Sequence, residues 1–168
     1  MTAWGRAELE SLYERLRTPL YNVCYRIVWD REEALDLVQE SFVILWFRRK
    51  RIRPETVEAL AYRTAINLAR SLLRKRKIRR MTGLDRLLGT GGSGDPEADL
   101  LADERERRLK EAIVTLPDEL RDTLLLTEYA ELSHRSVGEI LGIKEGTVAS
   151  RRFRAIERLR GAFPEPSE

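Results

Sequence analysis

Gly142 separates two short runs of helical apolar periodicity near the C-terminus, and that arrangement constrains this chain more than any other feature. In the run before it, Val137, Ile140 and Leu141 share one face, and Ser133 stands where a helix cap belongs. Gly142 supplies the left-handed residue that ends such a helix and turns the chain sharply. Ile143 can pack back under the turn, and a further helix begins near Glu145-Gly146-Thr147. Upstream, Leu116-Pro117-Asp118 opens a helix whose apolar stripe is Leu120, Leu124, Leu125 and Tyr129. Two short helices joined by a glycine-containing turn of about four residues make a helix-turn-helix. The last helix carries Arg151, Arg152, Arg154, Arg158 and Arg160, with Thr147 and Ser150 near its start. Short hydroxyls, guanidinium forks and the positive end of the helix dipole suit a helix lying in a DNA major groove. Arginine content alone would equally describe a bundle with a solvated basic face; the Gly142 turn favours DNA.

The remaining composition bounds the other half. At 168 residues the chain can hold one or two small domains with modest cores. Net charge is only +3, but residues 1–80 carry 18 Lys/Arg against 10 Asp/Glu, so the positive excess sits at the N-terminal end. Cys24 stands alone, which suits a reducing cytoplasm. The sequence contains neither a bilayer-length apolar run nor a signal-peptide pattern. One His, one Cys, no phosphate-binding Gly-Lys loop and no zinc-ligand spacing leave no catalytic reading, no metal and no cofactor to expect.

Residues 6–29 read as an amphipathic helix or helix pair, with Pro19 marking a break or kink and Asp30 capping the next helix. That helix, at 31–48, is apolar nearly all the way round, through Leu35, Leu37, Val38, Phe42, Val43, Leu45, Trp46 and Phe47, so one face should meet a partner. Next comes a basic run, Arg48, Arg49, Lys50, Arg51 and Arg53, and then a helix over 55–77 ending in Arg74-Lys75-Arg76-Lys77. Basic clusters draw phosphates, while Tyr62, Arg63, Asn67 and Arg70 between them could hold unstacked bases; Tyr62 serves a core equally well. Residues 81–99, rich in Gly and Ser at their centre, read as a flexible linker in which Leu84, Leu87 and Leu88 could form a helical turn. The fold expected is all-α: an N-terminal domain over 1–80, the linker, a C-terminal helix-turn-helix domain over 100–163 and a frayed tail over 164–168.

Residues 116–160 resemble the C-terminal domain of the extracytoplasmic-function sigma factors of bacterial RNA polymerase. The resemblance rests on Leu116, Pro117, Arg121, Leu132, Ser133, Gly146, Thr147, Val148, Ser150, Arg151, Arg154, Ala155 and Leu159. Ala149 stands where that family usually has a basic residue, Arg152 where it has an apolar one and Gly138 where it has alanine. Gly138 should therefore cost about 1 kcal/mol of helix stability, and Phe153 or Ile156 should fill the core in place of Arg152. The helix ALDLVQESFVILW resembles the same family through Ala34, Asp36, Leu37, Val38, Gln39, Glu40, Phe42 and Trp46. AYRTAINLARSLLRKRK is similar to its promoter-melting helix, with Leu60, Thr64 and Ser71 departing from it.

The resemblance implies a sigma factor that directs transcription initiation. Asp36, Gln39 and Glu40 would dock on core RNA polymerase. Arg48, Arg49, Lys50, Arg51, Arg53, Tyr62, Arg63, Asn67 and Arg74 would meet the minus-ten DNA, which is captured as a melted strand with a flipped base. Lys144, Glu145, Thr147, Ser150, Arg151 and Arg154 would read the minus-thirty-five element, with Arg151 and Arg154 foremost. Partners would be core polymerase, promoter DNA as duplex and as melted strand, and the anti-sigma protein that commonly holds the family inactive. Two other functions fit the same residues: a helix-turn-helix regulator that needs no polymerase, and a sigma-like decoy that titrates a regulatory protein.

Overall fold

The computed structural model describes residues 5–89 and 104–163, and these form helices and short 3-10 turns with no strand among them. The N-terminal half is built from α1 (Arg6–Val28), α2 (Arg31–Arg48) and α3 (Val57–Thr82), each packed on the other two. In α1, Leu12, Leu16, Leu20, Val23, Cys24 and Ile27 recur every three or four residues and are buried as one stripe. Glu8 closes its start by accepting the Gly5 N–H at 3.0 Å. Of the break or kink expected at Pro19, the break does not occur: α1 continues through it as one helix. A proline inside a helix costs about 3 kcal/mol, whereas burying Leu12, Leu16, Leu20 and Val23 contributes roughly 1.5–3 kcal/mol each. Burial wins.

Trp29, with φ 55°, ends α1 in the left-handed region. Asp30 then caps α2, accepting the Glu33 N–H at 2.9 Å. The Tyr13 ring meets Phe42 edge-on with centroids 5.0 Å apart, which fixes α1 against α2. The basic run after α2 folds as two 3-10 turns, Arg49–Arg51 and Pro54–Thr56. α3 extends past the expected end near residue 77 to Thr82, because Lys and Arg sustain a helix until Gly83 (φ 67°) ends it. The leucines beyond form α4 (Leu84–Leu88). The rest of the expected linker beyond Gly89, and the tail at 164–168, lie outside the described residues.

The C-terminal half comprises α5 (Glu104–Val114), α6 (Asp118–Glu128), α7 (His134–Leu141) and α8 (Glu145–Ala162). Ser133 caps α7 by accepting the Ser136 N–H at 3.1 Å, and Gly142 (φ 68°) ends it. Leu116, Leu120 and Leu124 pack with Ala155, Ile156 and Leu159 to join α6 to α8. Ile156, not Phe153, therefore supplies the apolar contact that Arg152 does not. Gly138 departs from the sequence expectation in kind. A Cβ there would stand 2.7 Å from the Ile143 carbonyl oxygen, so the glycine lets the chain fold back tightly after α7. The two halves also pack on each other. A single apolar cluster runs from Leu12 in α1 through Ile66 in α3 to Leu125, Val137 and Val148.

Candidate functional site

On α2 the residues left out of the core lie along one outward face. Leu37, Val38, Phe42 and Leu45 are buried, while Leu35, Asp36, Gln39, Glu40, Val43 and Phe47 are exposed. Residues 35, 39, 43 and 47 succeed one another at four-residue spacing, one per turn, and Phe47 is 79% exposed. Apolar side chains standing in water beside carboxylates make a surface suited to a protein partner with a basic, apolar face. This resolves the all-round apolarity of the helix into an inner half and an outer half.

The basic segment divides differently. Arg48, Lys50, Arg51 and Arg53 are exposed. Arg49 instead lies with its guanidinium 3.8 Å from the Trp46 ring centroid and donates to the Trp46 carbonyl at 2.8 Å, so it fastens the turn to α2. On α3, Asn67 and Arg74 are exposed. Tyr62 is 1% exposed, and burial pushes its hydroxyl up to about 12, ahead of the nearby Glu58 charge. It belongs to the core of the N-terminal half and offers no ring face to a base, which corrects its assignment to the DNA. Arg63 reaches across to the C-terminal half: its Nε donates to the Ile140 carbonyl at 2.9 Å and its Nη2 to the Glu139 carbonyl at 3.0 Å. No acidic residue occurs between Glu58 and Asp85, so the α3 surface stays basic along its length.

On α8, Lys144 at the cap and Glu145, Ser150 and Arg154 within the helix are exposed, and Thr147 is half-buried. Arg151 is not outward. Its side chain is 18% exposed and lies 3.1 Å from Glu119 of α6, and Arg152 is paired with Glu128 in the same way. Of the two arginines expected to lead, Arg154 alone is exposed. Phe153, 64% exposed, neighbours Ser150 and Arg154 on that outward face. Its sequence context suggests a core role and no part in binding. The phase of Val148, Ala155 and Leu159 could have revealed it, since those inward positions leave 153 outside.

Behind these surfaces lies a charged seam between the halves. Asp122 of α6 is fully buried and pairs with Arg70 of α3 and Arg121 of its own helix. Burial pushes its carboxyl up to about 6, against the pull of those arginines. Arg26 of α1 is 4.9 Å from the ring centroids of both Trp29 and Tyr129, and 3.7 Å from Glu106. No motif or spacing in the sequence announces this seam. Among the described residues, no group of His, Cys, Asp and Glu side chains could hold a metal ion. No described helix is long and apolar enough to cross a membrane.

Residues 12–79 match the family described as Sigma-70 region 2, and residues 106–159 match Sigma-70, region 4. The chain is 30% identical over 143 residues to the ECF RNA polymerase sigma factor SigE of Mycolicibacterium smegmatis, covering 84% of this chain. It spans 56% of that protein's length. It is 33% identical over 144 residues to the RNA polymerase sigma-H factor of Pseudomonas aeruginosa, covering 80% of this chain and 75% of that one. Among solved structures, CnrH in complex with the cytosolic domain of CnrY superposes with a TM-score of 0.73 at 20% identity, covering 97% of this chain and 92% of that one.

Proposed function

The chain belongs to the extracytoplasmic-function sigma factors of RNA polymerase, a family of transcription initiation factors, and from that membership we propose how its surfaces divide the work. The exposed face of α2 docks on core polymerase through Asp36, Gln39 and Glu40, with Leu35, Val43 and Phe47 adding the apolar contact. Arg48, Lys50, Arg51 and Arg53, together with Arg63, Asn67 and Arg74, hold the melted minus-ten strand by its phosphates and bases. α8 enters the major groove of the minus-thirty-five element, where Arg154 and Ser150 meet base edges and Lys144, Thr147 and Arg151 steady the helix on the backbone. Glu145, at the first turn of α8, accepts from a base amino group. The protein works in the cytoplasm as a binding factor and not as an enzyme, and an anti-sigma protein is its natural restraint. One observation supports this reading above the rest: a single chain carries an exposed apolar-acidic helix face ahead of an arginine-bearing helix-turn-helix.

Transcription in vitro from fragmented genomic DNA of the source organism, with purified core polymerase and this chain, tests it. Discrete new start sites that depend on the chain are expected. A stable complex with core polymerase but no starts would favour a decoy, and neither starts nor complex would leave a polymerase-independent DNA-binding regulator.

A further inference from the structure

We propose that the chain self-associates, the outer face of α2 in one copy receiving the projecting end of α3 and α4 from another. Among the described residues, every large apolar side chain left exposed, Val114 and Phe153 apart, lies on one of these two surfaces. On α2, Glu32, Asp36 and Glu40 stand one turn apart in one row, and Leu35, Val43 and Phe47 occupy the row beside it. The other surface is the far end of α3. Arg76 ties that helix to the bundle, paired with Glu33 of α2 and donating to the Val28 carbonyl at 3.0 Å. Beyond it residues 77–82 are all exposed, about 9 Å of helix. Gly83 turns the chain into α4, and Ile78, Met81, Leu84, Leu87 and Leu88 stand in water, Leu87 at 80% exposure. Lys77, Arg79, Arg80 and Arg86 surround them and are exposed as well.

One surface is apolar and acidic, the other apolar and basic. None of their charged side chains has an ion-pair partner among the described residues, whereas arginines elsewhere on the surface, such as Arg107 and Arg152, do. Phosphates would engage the cations of the α3–α4 end and leave Ile78, Met81 and the leucines in water. A fitting partner brings apolar area and carboxylates together, and this chain displays both on α2. Burial of the apolar side chains supplies affinity, while the opposite charges speed encounter and fix register. A contact between two different surfaces of one chain is heterologous, so it closes as a reciprocal pair or runs on as an open chain. The consequence for polymerase rests on the function proposed above. A copy seated on α2 covers Asp36 and Glu40, so self-association withholds the docking face.

Sedimentation velocity of the purified full chain over a rising concentration series tests the contact with neither DNA nor polymerase present. The wild type should pass from monomer to a faster species as concentration rises. Asp36→Arg/Glu40→Arg sets cation against cation, and Arg79→Glu/Arg80→Glu sets carboxylate against carboxylate. Each variant alone should lose at least about tenfold in self-affinity. An equimolar mixture of the two should associate again, because each altered surface then meets its complement on the other variant. Far-UV circular dichroism checks the helices. Should a charge variant lose helicity, Leu87→Ser/Leu88→Ser decides, since both side chains stand in water and their loss should weaken association too. A wild type that stays monomeric, folded variants that associate as the wild type does, or a mixture that stays apart would overturn the proposal. So would a monomeric wild type that pellets with anionic lipid vesicles, which would give the basic surface to lipid. Co-elution with core polymerase is scored separately: its absence would sink the sigma reading, while sedimentation would still rule on the self-contact.

Discussion

At Gly138 a propensity argument and a packing argument point in opposite directions. Alanine in place of a mid-helix glycine ordinarily gains about 1 kcal/mol. Here the added methyl would meet the Ile143 carbonyl oxygen at 2.7 Å, and a backbone atom in a tight turn cannot swing aside. Gly138→Ala is therefore expected to destabilise the chain by about 1–3 kcal/mol, as overpacking does; a urea melt with a raised midpoint would mean that the turn yields. The arginines of α8 separate by the same attention to surroundings. Arg154 is exposed, and its replacement by alanine should cost about 1–3 kcal/mol of duplex binding at one preferred base while sparing other sequences. Arg151, held beside Glu119, should lose affinity evenly across sequences when replaced. A binding assay over a panel of single-base promoter variants distinguishes the two patterns.

Several helix ends were legible because local chemistry decides them, although the glycine that ends α3, Gly83, was passed over. Asp30, Ser133 and Gly142 cap or terminate as their side chains and backbone preferences require. Pro19 did not divide α1 because its effect is local, whereas Leu16 and Leu20 are buried against other helices. Periodicity revealed that α2 is apolar on too many sides, but only packing could sort Phe42 inward and Phe47 outward. The same limit hid Tyr62 in the core and Phe153 on the surface. The outer face of α2 now carries its own test. Phe47→Ala removes a ring that touches water, so melting should move by no more than about 0.5 kcal/mol, while affinity for core polymerase should fall by more than about 1 kcal/mol. Asp36→Arg should abolish that binding with the helical spectrum unchanged; undiminished affinity would remove the face from the interface.

Across the whole molecule, the seam joins residues that no sequence pattern pairs: Arg70 and Asp122 are 52 positions apart. It also confers a pH response. Facing Asp122 are Arg70 from α3, and Arg121 and Asp118 from α6 itself. The folded carboxyl titrates near 6 against an ordinary 3.8, so between those values the folded chain binds more protons than the unfolded one. Its contribution to stability is full below the lower value and is lost as pH rises through the upper. Asp122→Asn has no such loss, and its melting temperature relative to wild type should be higher at pH 7 than at pH 5; a difference that does not change with pH would show that the carboxyl is not buried in solution. The seam has an optical consequence too. The Trp29 indole lies beside Arg26 of its own half and within 5.9 Å of the Lys110 ammonium of the other, on the boundary between the two. Unfolding in denaturant would hand that ring from two cations and a packed wall to bulk water, shifting its emission to longer wavelength. The protein thus carries its own lamp at that boundary, and the loss of its packing can be followed in real time with no label attached.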